Sequence, residues 1–212
     1  MLNEGIVGPT ALTTGNPATA RLTRSGAALT GWLSAAYQEA VLRGNCFIAV
    51  DTTVRLLDAP GDATPVGMTV ANPAGSGKNM VLLYAAGAHN GTALTAGGVV
   101  VLTSNHNTAA AAVAAGTAVT IRNCLLGSAA SSIASASVAA TVPANPTAIW
   151  SLGVVDTGAA TVQIVAPVCE AWLNGAIILQ PNTAISFNST VTLTGAGGGV
   201  INCTLVWEEI AA

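Results

Sequence analysis

The stretch Asn72-Pro73-Ala74-Gly75-Ser76-Gly77-Lys78-Asn79 is the first place in this chain where residue types and spacing suggest chemistry. Glycines followed by a lysine can wrap a phosphate, with backbone N–H groups and the ammonium together offsetting its charge. That loop requires Gly, four residues, then Gly-Lys-Ser/Thr, and a helix behind it whose N-terminus faces the anion. Here Asn72 stands where the first glycine belongs, and Asn79 where the magnesium-binding hydroxyl belongs. The run that follows, MVLLYAAG, is β-rich rather than helical. The segment therefore reads as a Gly-rich turn joining two strands, and no nucleotide site is assigned.

Nucleophilic and acid–base constellations are equally incomplete. His89 and His106 are the only histidines, both in Gly/Asn-rich surroundings that read as loops. No G-x-S-x-G elbow or other nucleophile setting accompanies them. The acids are Glu4, Glu39, Asp51, Asp58, Asp62, Asp156, Glu170, Glu208 and Glu209, and their spacing offers no pair of the kind that hydrolyses glycosides. Asp58 and Asp62 flank a turn, DAPGD, while Glu208 and Glu209 end the last strand, where solvent or an arginine is their expected partner. Cys46, Cys124, Cys169 and Cys203 lie far apart, never as C-x-x-C, each inside or beside an apolar run. Metal sites usually take close pairs, so these cysteines read as small buried hydrophobes, neither ligands nor disulfides. No catalytic residue, metal ligand or cofactor site is assigned, and the chain is not expected to be an enzyme.

The elements that would position any such residues are strands. From Asn45 onward short runs rich in Val, Ile, Leu and Thr alternate with turn residues: 46–50, 53–57, 66–70, 79–85, 98–104, 119–123, 148–155, 162–166, 169–173, 176–180, 184–187, 190–194 and 200–209. Such spacing predicts an all-β fold, an antiparallel sandwich or barrel. Asn174-Gly175, between CEAWL and AIILQ, predicts a tight hairpin. Asn90-Gly91 predicts a looser connection, and Pro181-Asn182 a further turn. The Ala/Ser-rich region 105–147 breaks the rhythm and is compatible with long loops or one short helix. Before the strands, residues 25–42 carry Leu29, Trp32, Leu33, Ala36, Tyr37, Ala40 and Val41 at helical steps, with Ser25 as N-cap and Gly31 as a weak point. An irregular linker competes with that helix. Residues 1–24 hold no sustained period and read as an extended arm, leaving 25–212 as one sandwich domain.

Composition narrows the function classes. Charged residues make up only 7% of the 212, whereas apolar residues make up 51% and the net charge is −3. Soluble domains average about 25% charged residues, so this surface rests on Thr, Ser and Asn or is buried between subunits. The six basic residues, Arg21, Arg24, Arg43, Arg55, Lys78 and Arg122, are too scattered to make a phosphate-binding groove, which argues against nucleic acid. No window supplies the roughly 20 apolar residues of a membrane span. MLNEGIVGPT lacks the basic start and apolar core of a secretion signal, so synthesis and folding in a cytoplasm are expected.

Several segments in this order carry a resemblance. They are the arm, a W-x(4)-Y segment from Trp32 to Tyr37, RGNCF (43–47), NPAGSGKN (72–79), LNGAIILQPNTAISF (173–187) and a final strand ending W-E-E. Together they resemble a group of jelly-roll proteins encoded among the structural genes of tailed bacteriophages. The resemblance implies a jelly-roll-like sandwich acting in the virion, assembled in the host cytoplasm, as a capsid decoration or cement protein or else a spike or fibre component. It further implies a homo-oligomer, commonly a trimer, whose partners are the major capsid protein or other virion proteins. On that reading Ile6, Val7, Leu12, Arg21, Arg24, Trp32 and Tyr37 are the candidate interface residues. The competing reading is a receptor- or glycan-binding module of a phage appendage. Against it, Trp32, Trp150, Trp172 and Trp207 read as core anchors.

Overall fold

A computed structural model of the chain describes residues 37–60, 64–89, 94–105, 116–142, 146–155, 168–195 and 201–212. The arm (1–24), Ser25, Gly31, Asn90-Gly91, His106 and the run 162–166 lie outside the described residues. One five-residue helix, α1 (Gln38–Leu42), precedes strands β1 (Cys46–Arg55), β2 (Met68–Asn72), β3 (Lys78–His89), β4 (Leu94–Ala96) and β5 (Gly98–Asn105). The chain continues with β6 (Thr117–Ala118), β7 (Ile121–Asn123), β8 (Ser135–Val138), β9 (Thr147–Val155) and β10 (Val168–Trp172). It closes with β11 (Ile178–Leu179), β12 (Thr183–Ser189), β13 (Thr194–Gly195) and β14 (Ile201–Ala211).

All strand pairings are antiparallel, and the main strands fall into two sheets. One sheet runs β10-β3-β14-β1-β7, with β11 also on β3; the other runs β6-β8-β2-β12-β5-β9. Each adjacent pair in the order β1, β2, β3, β5, β9, β10, β12, β14 is connected as two interlocked Greek keys require: β1-β14-β3-β10 in the first sheet and β2-β12-β5-β9 in the second. This is a jelly roll.

Period-two patterning explains the sandwich. In β14 every second residue (Ile201, Cys203, Leu205, Trp207, Glu209) is buried, while Asn202, Thr204, Val206 and Glu208 are half-exposed on the other face. Phe47, Leu82, Leu102, Ile185 and Phe187 join them in one core between the sheets. Phe47 and Trp207 are cross-strand partners whose rings stack at 6.3 Å, an arrangement that adds to the burial of both.

Four expectations need correction. CFIAV and the first three residues of TVRLL are one strand, whose pairing with β14 breaks after Asp51 and resumes at Arg55. His89 ends β3, opposite Ile201, and does not lie in a loop. The run 190–194 contributes only Thr194, to the small β4–β13 ladder. Within 105–147, the expected strand at 119–123 is present as β7, and the described residues also form β6 and β8 rather than bare loop or helix. These short strands extend the two sheets edge to edge: β7 pairs with β1, and β8 pairs with β2.

The Asn174-Gly175 turn has the backbone expected of a tight hairpin, with φ 49° and 82°, yet it makes no hairpin. Its flanking strands β10 and β11 both pair with β3, at Trp172–Tyr84 and Ile178–Val81. The amides of Leu173, Asn174 and Gly175 bond the carbonyls of Leu83 and Leu82 at 2.8–3.1 Å. The turn is a loop stitched onto one neighbour, because β3 offers those carbonyls where β10 would otherwise have to fold back on itself. Pro181-Asn182 does turn the chain, from β11 in one sheet to β12 in the other.

Candidate interaction surface

The outer face of the β10-β3-β14-β1-β7 sheet can be read across its registers. One row is Trp172, Tyr84, Val206, Ile48 and Arg122, each opposite the next. Beside it lie Ile178, Val81, Glu208 and Cys46 on one flank, and Glu170, Ala86, Thr204 and Val50 on the other. A sheet normally turns one apolar face inward and one polar face outward. Here both faces are largely apolar. Helix α1 covers part of the outer one, where Ala40 packs on Cys46 and Leu83 beside Tyr37, Val41, Val81 and Val206. The remainder stays open: Trp172 is 63% and Ile178 52% exposed, with Val50 and Ile210 also exposed.

Of the seven expected interface residues, Tyr37 is the one among the described residues; Ile6, Val7, Leu12, Arg21, Arg24 and Trp32 lie outside them. Tyr37 starts α1 in the left-handed region (φ 68°), and its hydroxyl donates to the Asn174 carboxamide. It therefore joins the helix to the loop beside Trp172. Trp150 and Trp172 are exposed, contrary to their reading as core anchors; among the described tryptophans Trp207 alone is fully buried. A signal for this was present in CEAWL: Glu170 and Trp172 are two apart on one strand and must share a face, and a carboxylate marks that face as wet.

Tyr84 and Trp172 form a tilted aromatic pair with centroids 4.8 Å apart. The Tyr84 hydroxyl donates to Glu170 at 2.5 Å, and this bond to the carboxylate, with some burial, pushes its pKa up to about 12. Burial also raises the Glu208 carboxyl, and nearby Arg43 opposes the rise.

The lysine of the phosphate-loop-like segment is committed elsewhere. Asn72 ends β2 and its carboxamide donates to the carbonyls of Lys78 (2.8 Å) and Leu179 (2.9 Å), while Ser76 donates to Asn72 (2.6 Å). Lys78 pairs with the buried Glu209 at 3.0 Å. The segment is a turn that carries the chain from one sheet to the other, as its sequence suggests, and a strand follows it. Glu209 departs from expectation: neither solvated nor paired with an arginine, it faces the sandwich interior.

No protein-family model, curated protein or solved structure matches this chain.

Among the described residues no three His, Cys, Asp or Glu side chains come together as metal ligands would. A groove of about 380 Å³ between β1 and the 116–122 segment is lined by Asp51, Arg55, Thr117 and Arg122 among others. Its Asp51 and Arg55 already pair at 3.0 Å. Nor does any helix among the described residues have the length and apolarity to cross a membrane.

Proposed function

We propose that this protein is a structural component of a bacteriophage particle, a capsid decoration or cement protein that associates with copies of itself and with the major capsid protein. The observation that supports the reading is the open apolar face around Trp172, Ile178, Val50 and Ile210. A charge-poor chain with an uncovered aromatic and aliphatic sheet face has the makings of an interface core, where aromatics are enriched and charges depleted. Closed symmetric association, a trimer on this reading, buries the same patch in every copy.

Light scattering after size exclusion tests it. The native chain is expected to be a trimer at low concentration and to bind capsids that lack it. Trp172→Ser combined with Ile178→Ser should release monomers, and deletion of residues 1–24 should abolish particle association while the sandwich stays folded. A wild-type monomer that ignores capsids would sink the proposal.

One observation favours a second reading, a glycan- or receptor-binding module of a phage appendage. The exposed Trp172 ring leans on the half-buried Tyr84 and is edged by the Glu170 carboxylate and the Asn174 carboxamide, a combination that can stack on a sugar ring and bond its hydroxyls. Glycan-array binding that Trp172→Ala removes would favour this reading over assembly.

A further inference from the structure

We propose that Cys46 and Cys124 are a covalent staple site, at which a small-molecule disulfide oxidant joins β1 to the segment after β7. The register places Phe47 opposite Asn123 and Ile48 opposite Arg122, so Cys46 stands opposite Cys124. The Cys124 N–H donates to the Cys46 carbonyl at 2.8 Å, which makes them a hydrogen-bonded antiparallel pair. In such a pair the Cα atoms lie about 5.5 Å apart, inside the range of about 4.4–6.8 Å that a disulfide spans. Both side chains project to the outer face under α1 and pack in one cluster with Ala40 and Leu83. Both thiols are free.

The other two cysteines supply an internal contrast. Cys169 and Cys203 sit on opposite sides of Gly87, one on β10 and one on β14. Two strand spacings, about 9–10 Å, separate them, too far for a bridge. Both are buried in the core.

The environment also orders the reaction. Cys124 is partly exposed and Cys46 is buried. Their thiols bond to each other; that bond lowers the pKa of Cys124, whereas Cys46 is raised by the same bond and by burial. Cys124 therefore loses its proton first and, as thiolate, attacks one sulfur of the oxidant RS–SR, expelling RS⁻. Cys46 then gives up its proton, and its thiolate attacks Cys124 Sγ, expelling the second RS⁻. Two protons and two electrons leave the protein as two RSH. The chemistry stands independently of the particle reading, although a protein made in a reducing cytoplasm and then released into an oxidising medium would experience this change.

Incubation with oxidised glutathione, acid quenching and non-reducing peptide mapping of the wild-type chain provide the test. The expected result is one cross-linked peptide containing Cys46 and Cys124, loss of two of the four thiols, a mass decrease of about 2 Da, and a rise in the thermal midpoint that a reductant reverses. Cys46→Ser should instead trap glutathione on Cys124, and Cys124→Ser should leave Cys46 unreacted. Four intact thiols, a stable glutathione adduct on wild-type Cys124, or a bridge to Cys169 or Cys203 would each overturn the proposal. Mapping of the wild type requires no variant to fold.

Discussion

Lys78 and Glu209 form an ion pair in which only one partner meets water: Glu209 is 1% exposed, while the Lys78 side chain, 3.0 Å away, is 37% exposed. The carboxylate also accepts the Ser132 hydroxyl and the Ile133 N–H. One buried charge thus ties the start of β3, the end of β14 and the segment before β8 together. Removing it leaves those donors without a partner, and Glu209→Ala is expected to destabilise the fold by about 3 kcal/mol. Lys78→Met should matter less, about 1 kcal/mol, because solvent screens the lysine and the donors Ser132, Ile133 and Trp207 remain. Urea denaturation measures both. Equal losses would mean that the lysine alone keeps Glu209 buried.

Gly67 begins the approach to β2 with no room for a side chain. A Cβ there would lie 2.0 Å from the Phe187 carbonyl oxygen and 2.9 Å from Leu57. Because backbone must move to admit it, Gly67→Ala should cost about 3 kcal/mol, at the upper end for overpacking. A loss under about 0.5 kcal/mol, the usual size at an exposed site, would show that the two strands separate easily.

Trp172 and Trp207 are the same residue type in opposite situations. Trp207→Ala, which empties the core beside Phe47, should cost about 3–5 kcal/mol. Trp172→Ala should cost well under half of that in dilute monomer, and its effect should appear in association instead. A large stability loss from Trp172→Ala at concentrations where the chain is monomeric would show that this ring holds the fold together and does not serve an interface.

Tyr84 supplies a prediction in alkali. Its pKa is raised to about 12 from the ordinary 10 by the bond to Glu170, so the folded chain holds this proton after an unfolded one has released it. Whatever stability the bond contributes is therefore complete below pH 10 and is lost as pH rises towards 12. The phenolate absorbance of Tyr84 should appear near pH 12, and Glu170→Gln should bring it down towards 10. Titration unchanged by that substitution would remove Glu170 as the cause. The bond itself lies on the exposed outer face of the sheet, so the change in overall stability should be small.

Much of the sandwich was legible because strand alternation is a local property. The core positions of VINCTLVWEEI and the strand character of the run after Lys78 follow from period-two patterning, and the structure has both. Pairing was less legible. Asn174-Gly175 has the dihedral angles its sequence suggests, but which strands the turn joins depends on carbonyls of β3 about 90 residues earlier. Strand β8 was missed because its Ala and Ser carry little β propensity, and β6 because two residues show no period; they are held by their neighbours β2 and β8. At the candidate surface, tryptophan's preference for burial concealed Trp172, and the charge of Glu209 suggested solvent where a hydrogen-bonded interior site exists.

The short strands of the 116–142 segment have a consequence for aggregation. They occupy the flanks of β1 and β2, so the exposed borders on that side are β7 and β6, three and two residues long. On the opposite side β9 lies so close to β10 that a Cβ on Gly153 would sit 3.3 Å from the Cα of Cys169. Among the described residues there is thus little free ladder for a foreign strand to extend, and open ladders are the usual template for amyloid-like growth. A chain this rich in Val, Ala and Ile can then be crowded to high local concentration with its apolar sheet face available and its strand borders blunted.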